Sequence, residues 1–243
     1  MSFLYHTFFF DPLYNILVLL FGLLPWADAG IIVVLLTVLV RLIMFPLSRK
    51  AVHTQVRMAE IAPDLAKIKE QYKNRAEEQA RLTLALYREK GVNPFSGILV
   101  IIVQIPIIFA LYQIFLNFPE VNSALLYSFV AAPDRINTTF LGFLDLTAKN
   151  AAIAFFAAVS TFFQFQISMK GQAKPKGNSF GDNLTRSMQT QMKYFFPVIV
   201  FFISYKISGV IALYWLTTNL FSIAQELFVR KNIKTNQAKK LPI

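Results

Sequence analysis

Five long apolar stretches, separated by charged segments, constrain this chain more than any other feature. They cover about 29–48, 96–116, 148–169, 188–205 and 209–229. A helix that crosses the hydrocarbon core of a bilayer takes about 20 such residues. Composition points the same way: 56% of the 243 residues are hydrophobic, 15% are charged and 25 are Phe, against about 25% charged in soluble domains. Mean hydropathy is +0.51. The fold class expected is an all-α membrane protein with five transmembrane helices.

A further apolar run, Leu13–Leu24, is only 12 residues long, short of the 18 or so that suggest a span. Asp11-Pro12 opens it and Pro25-Trp26-Ala27-Asp28 closes it. It reads as an N-terminal interfacial helix within 1–28, with Tyr14 and Trp26 as headgroup anchors. The basic n-region of a signal peptide is missing, because no Lys or Arg precedes Arg41.

Positive charge sets the orientation of such a chain. Ten Lys and Arg lie between spans one and two, five over Lys170–Lys193 between span three and the start of span four, and five in the tail 230–243. The opposite side holds only Arg135, Lys149 and Lys206. The N-terminus is therefore expected outside, and the C-terminus in the cytoplasm. Within 49–95, apolar residues recur at helical spacing (Val52, Val56, Ala59; Leu65, Ile68, Tyr72; Leu82, Leu86). This reads as a cytoplasmic helical hairpin, broken or kinked at Pro63 and turning at Lys73-Asn74-Arg75. Asn93-Pro94 marks the start of span two, 117–147 forms an outer loop, and 170–187 reads as a mobile cytoplasmic loop.

Catalysis finds little support. There is no Cys and only two His, which removes disulfides, thiolate sites and multi-His metal sites. No hydrolase, zincin or phosphate-loop motif occurs, and no acidic residue lies in the middle of a span. Glu226 falls near the cytoplasmic end of span five, and snorkelling accounts for Lys206. The chain is not expected to be an enzyme, and no cofactor or metal is expected.

Arg41 is the one charge well inside a span, Lys149, Lys193 and Glu226 falling toward span ends. Counted back from Arg49 along a straight helix, it lies about 12 Å inside the cytoplasmic end. A lipid-exposed Arg at mid-membrane costs at least about 2.5–3.5 kcal/mol. Either it snorkels to the inner headgroups or it faces a wet cavity. Thr37, Gln104, Gln164, Thr217, Thr218 and Asn219 offer polar companions from four of the spans. Singly, such groups are more often helix–helix hydrogen bonds; together, beside an unneutralised cation, they favour a hydrophilic pocket.

These residues fall in motifs that resemble the YidC/Oxa/Alb family of membrane protein insertases. GVNPFSGILVIIVQIPIIFALYQ (Gly91–Gln113) is similar to the family's second core span, with Val100 or a neighbour where many members carry Pro. ALYWLTTNLFSIAQE (Ala212–Glu226) resembles the last span, and LTVLVRLIMFPLSRK (Leu36–Lys50) the first. MAEIAPDLAKIKEQYK (Met58–Lys73) resembles the hairpin, and FLGFLDL (Phe140–Leu146) the outer loop before the third core span. The resemblance covers nearly the whole chain. It implies five helices around a hydrophilic groove open to the cytoplasm and closed outside. Arg41 would be the groove cation, with Thr37, Gln104, Gln164, Trp215 and Asn219 lining or gating it. Ile105, Pro106, Tyr214 and Trp215 would be contacts for an emerging substrate helix. The short chain resembles bacterial forms without the large periplasmic domain of Gram-negative homologues, sited in the cytoplasmic (plasma) membrane.

The function expected is insertion and folding of nascent membrane proteins. Partners are those clients and membrane lipid, with the SecYEG translocon and the ribosome as further candidates, the latter through the basic tail and loops. That tail could equally bind anionic lipid. A monomer is expected from the family. The alternative is a small transporter or channel that uses Arg41 as an anion site. A structural anchor whose hairpin docks a soluble partner is a third class.

Overall fold

The apolar stretches fold as helices that meet around the last of them. The computed structural model describes residues 2–93, 96–170 and 180–238. Pro94, most of the segment Gly171–Asn183 and the tail residues Lys239 and Lys240 lie outside the described residues.

The first helix is longer than Leu13–Leu24. Helix α1 (Ser2–Tyr5) passes through a π-helical turn, His6–Phe10, into α2 (Asp11–Leu23). Asp11-Pro12 therefore does not open it. Directly before the proline, the Asp11 N–H donates to the His6 carbonyl, five residues back, and this wider turn carries the helix past a residue without a donor. Phe3–Leu23 is long and apolar enough to cross a membrane, so shortness no longer argues for an interfacial placement. The same device recurs later. Helix α8 (Phe180–Thr190) enters α9 (Phe196–Ile207) through a π turn, Gln191–Phe195, where the Phe196 N–H donates to the Gln191 carbonyl just before Pro197. That helical run starts eight residues before Met188.

Asp28 caps helix α3 (Ala29–Ile43), its Oδ1 accepting the Ile31 N–H at 3.0 Å, one of the donors a helix start leaves free. The first stretch is not straight to residue 48. It ends at Ile43, and α4 (Phe45–Gln71) departs at 60°. Pro46 is the cause, since it cannot donate to the Leu42 carbonyl and its ring crowds that oxygen. Pro63, by contrast, sits inside α4 without ending it. It is exposed, where the carbonyl it leaves without a donor can be hydrated. Residues 72–75 turn the chain into α5 (Ala76–Glu89). Glu77 and Glu78 in its first turn and Arg88 in its last complement the helix dipole.

Helix α6 (Ser96–Leu116) contains Pro106, and α7 (Ala151–Ser168) is capped by Asn150 Oδ1, 3.1 Å from the Ile153 N. Ser208 is extended, and α10 (Gly209–Ala238) follows. The part of the tail up to Ala238 is thus helical. Val229 and Ile233, one turn apart, are buried and extend the packed stripe beyond the apolar stretch.

Helix α10 packs against α3, α4, α6, α7 and α9. Outward faces stay apolar: Phe155, Phe156, Phe163 and Phe202 are each more than half exposed, a surface suited to lipid and not to water. By length and apolarity, Phe3–Leu23 and Ala151–Ser168 qualify as spans among the described residues, with the bent pair α3–α4 as a third.

The loop 117–147 closes one end of this bundle. Its two short strands, β1 (Thr139–Phe140) and β2 (Leu144–Asp145), pair antiparallel with Thr139 opposite Asp145. The turn between them has positive φ at Leu141 and Gly142. Asp28 Oδ2 accepts the Leu141 N–H at 3.0 Å. A Cβ on Gly30 would lie 2.1 Å from Cδ2 of Phe140, so only Gly lets this ring reach α3. The Leu146 and Ala148 carbonyls accept the N–H groups of Val210 and Gly209, both at 3.0 Å. On the other flank, Asn15 donates to the Leu125 carbonyl at 3.0 Å and accepts from the Tyr127 N–H at 2.7 Å.

Candidate functional site in the seam between α3 and α10

Arg41 lies in the last turn of α3. The bend at Met44 makes the 12 Å depth from a straight helix inapplicable, since the apolar helix ends two residues after Arg41. The C-terminal end of a helix also favours a cation. The side chain is half-buried, and no carboxylate among the described residues pairs with it. Tyr214 of α10 lies within its electrostatic reach.

Thr37, one turn earlier, is buried, and its hydroxyl donates to the Val33 carbonyl at 2.7 Å. Its oxygen keeps its acceptor capacity. Thr37 and Arg41 thus share one face of α3, and Arg41 meets Tyr214 where α3 packs on α10. Gln104 stands on α6, its Oε1 buried without a protein donor, an acceptor that a water or a ligand must satisfy. Among the described residues, Arg41 is not one of its hydrogen-bond donors.

The remaining expected site residues are distributed differently. Asn219 is buried against α7, its Nδ2 lying 2.7 Å from Thr161 Oγ1, 3.0 Å from Ser160 Oγ and 3.3 Å from the Ala157 carbonyl. An amide has two hydrogens, and all three acceptors belong to the helix interface. Gln164 is half-buried one turn further along α7. Trp215 meets the Phe196 ring edge to face at 6.5 Å, on the side of α9. Ile105 is exposed and Pro106 half-exposed on α6, whereas Tyr214 is buried.

A polar cluster that sequence reasoning missed lies at the far end of the seam. Arg230 donates through Nε to Glu226 Oε1 and through Nη2 to Gln55 Oε1, both at 2.9 Å, and through Nη1 to the Lys170 carbonyl at 3.2 Å. Ser168 Oγ donates to Glu226 Oε2, and Gln55 Nε2 to the Ser168 carbonyl. The cluster ties α4 and the end of α7 to α10. Its one legible signal was Glu226 and Arg230 at i, i+4.

These features define a class: a helical membrane protein with a half-buried cation in a seam between helices, without a carboxylate partner among the described residues, and a loop closing the opposite end. Residues 21–237 match the family model described as 60Kd inner membrane protein. The chain is 32% identical over 203 residues to a membrane protein insertase YidC of Fusobacterium nucleatum, covering 83% of this chain and 86% of that protein. A YidC of Clostridium perfringens is 32% identical over 201 residues, covering 82% and 77%. A longer one from Wolinella succinogenes is 30% identical over 234 residues, 95% of this chain and 38% of that protein. The chain belongs to the YidC/Oxa family.

Proposed function

We propose that this chain is a membrane protein insertase of the bacterial plasma membrane, acting through a polar groove along the seam between α3 and α10. The proposed spans are α3, α6, α7, the run leading into and through α9, and α10, with the N-terminus outside and the α4–α5 hairpin in the cytoplasm. Thr217 and Thr218 dilute the apolarity of α10, which suits a groove helix better than one surrounded by lipid.

Arg41 carries the reading: it is a cation at the end of an apolar helix, with no carboxylate partner among the described residues. A nascent chain's hydrophilic tail meets a penalty of several kcal/mol for each unsatisfied polar group in lipid. A wet groove shortens that path while the flanking apolar helix leaves sideways past the exposed Ile105. Arg41 pairs transiently with acidic residues of the tail, and the membrane potential adds about 2.3 kcal/mol per charge per 100 mV. Trp215, Gln104 and Gln164 line or gate the path, and the hairpin receives clients, SecYEG or the ribosome. The protein acts as a monomer.

The test is reconstitution into liposomes with a single-span client bearing a short acidic N-terminal tail, read by protease protection of that tail. Wild type is expected to protect well above protein-free liposomes, Arg41→Ala several-fold less, and Arg41→Lys close to wild type. No protection above empty liposomes by folded protein would overturn the insertase reading. Equal protection by Arg41→Ala would remove Arg41 from the mechanism.

A further inference from the structure

A cavity lies between the start of α4 and the C-terminal part of α10, and neither Thr37, Arg41 nor Tyr214 lines it. Its volume is about 190 Å³, and Phe45, Arg49, His53, Phe228, Val229 and Asn232 line it. Phe45, Arg49 and His53 are spaced four apart and form one ridge of α4, advancing about 6 Å per step. The ridge thus passes from an apolar ring to a guanidinium to an imidazole. On α10, Phe228 and Asn232, also four apart, repeat the order from apolar to polar.

The charge here is uncompensated. Among the described residues no carboxylate pairs with Arg49. The His53 imidazole is held below its usual range, first by desolvation and then by Arg49 and Arg57. On the apolar side, the rings of Phe45 and Phe228 form the rim, and Phe228 is more than half exposed. A soluble anion would use the polar end and leave this rim bare. A phospholipid uses both.

We propose that this cavity binds the phosphate of an anionic phospholipid in the leaflet next to the hairpin. Arg49 and Asn232 donate to phosphate oxygens, and Phe45 and Phe228 lie along the acyl chains. The bound lipid would bridge α4 and α10 beside the Arg230 cluster. This inference goes beyond the insertase reading, and its readout requires no insertion.

The test titrates phosphatidylglycerol or phosphatidylcholine of the same acyl chains onto the full chain in detergent, with retained lipid counted by native mass spectrometry. Phosphatidylglycerol is expected to bind wild type more tightly than phosphatidylcholine. The preference should fall about tenfold in Arg49→Gln, the size of one charge-assisted hydrogen bond. Asn232→Asp, at an exposed position, should lose it too, while Arg88→Gln on α5 removes the same charge and keeps it. Circular dichroism confirms that each variant is folded. Equal retention of both lipids, or an equal loss in Arg88→Gln, would overturn the site. Displacement of the lipid by inorganic phosphate with the same Arg49 dependence would reassign it to a soluble anion. Displacement by an RNA oligonucleotide with that dependence would reassign it to nucleic acid.

Discussion

One side-chain nitrogen, Asn219 Nδ2, meets two hydroxyls of α7, and both hydroxyls also donate to the Ala157 carbonyl, at 2.7 and 2.8 Å. Those donations survive without Asn219, so Asn219→Ala should cost only about 1 kcal/mol, as interhelical hydrogen bonds in membranes generally do. Thermal unfolding in detergent measures this, and client protection per folded molecule should stay near wild type. A fall in insertion without a fall in stability would return Asn219 to the groove. His53 differs, because its environment disfavours the charged form: desolvation, Arg49 and Arg57 all act against protonation, and Asn232 across the cavity brings no charge. Its folded pKa is therefore below the unfolded value near 6.5. The neutral ring's stabilisation is present above that value and is lost as pH falls through the folded pKa. NMR titration in zwitterionic detergent should find His53 below 6.5, with Arg49→Gln moving it upward.

Helix α4 belongs to the bundle only where side chains fasten it. Its N-terminal part is held by Gln55 through Arg230 and Ser168, whereas α5 buries no residue among those described. Arg230→Ala removes a nearly buried partner from Glu226, whose side chain is only 8% exposed. Leaving a buried charge unpaired is costlier than the pair is worth. Hydrogen exchange over residues 51–59 should rise tenfold or more in this variant, and Glu226→Gln should have a smaller effect because Gln55 and the Lys170 carbonyl remain for Arg230. Unchanged protection would mean that apolar packing alone holds α4. At the other end, Gly30→Ala drives a methyl into the Phe140 ring and should loosen the β1–β2 hairpin, read as faster protease cleavage in the loop 117–147. Phe140→Ala added to Gly30→Ala opens the space and should recover part of the lost thermal stability.

The sequence has no Cys, so single cysteines can be placed in it without a background and its topology measured in cells. A cysteine at Phe155 or Phe202 should resist a membrane-impermeant maleimide from either side. One at Lys67 or Arg81 should react only after the cytoplasmic face is opened, and one at Asp134 from outside in intact cells. Labelling of Lys67 and Asp134 from the same side would overturn the five-span arrangement. The helix over residues 2–23 is decisive in the same assay. Cysteines at Phe3 and Leu23 reacting from one side would mark a helix lying on the outer surface, and from opposite sides a sixth crossing.

Composition and local pattern determined by themselves that this is a helical membrane protein. They also determined where its apolar stretches fall, that a hairpin follows the first of them, and that Arg41 needs an explanation. Those are properties of short windows, where hydropathy and charge add residue by residue. Pairings between distant residues were not legible. Asn15 with the loop at 125–127, Asp28 with Leu141, and Gln55 with Arg230 join residues more than a hundred positions apart, and no local pattern encodes a partner. The prolines show the same limit. Pro46 bends its helix by 60°, Pro63 leaves its helix unbroken, and Pro12 and Pro197 follow π turns that carry the chain past them. Each residue supplies the same missing donor; only the tertiary structure decides whether solvent, a wider turn or a bend makes up for it. It likewise sorted the polar residues of the spans, giving Asn219 to the helix interface and leaving Arg41 in the seam, because a buried amide takes whatever acceptors the neighbouring helix presents.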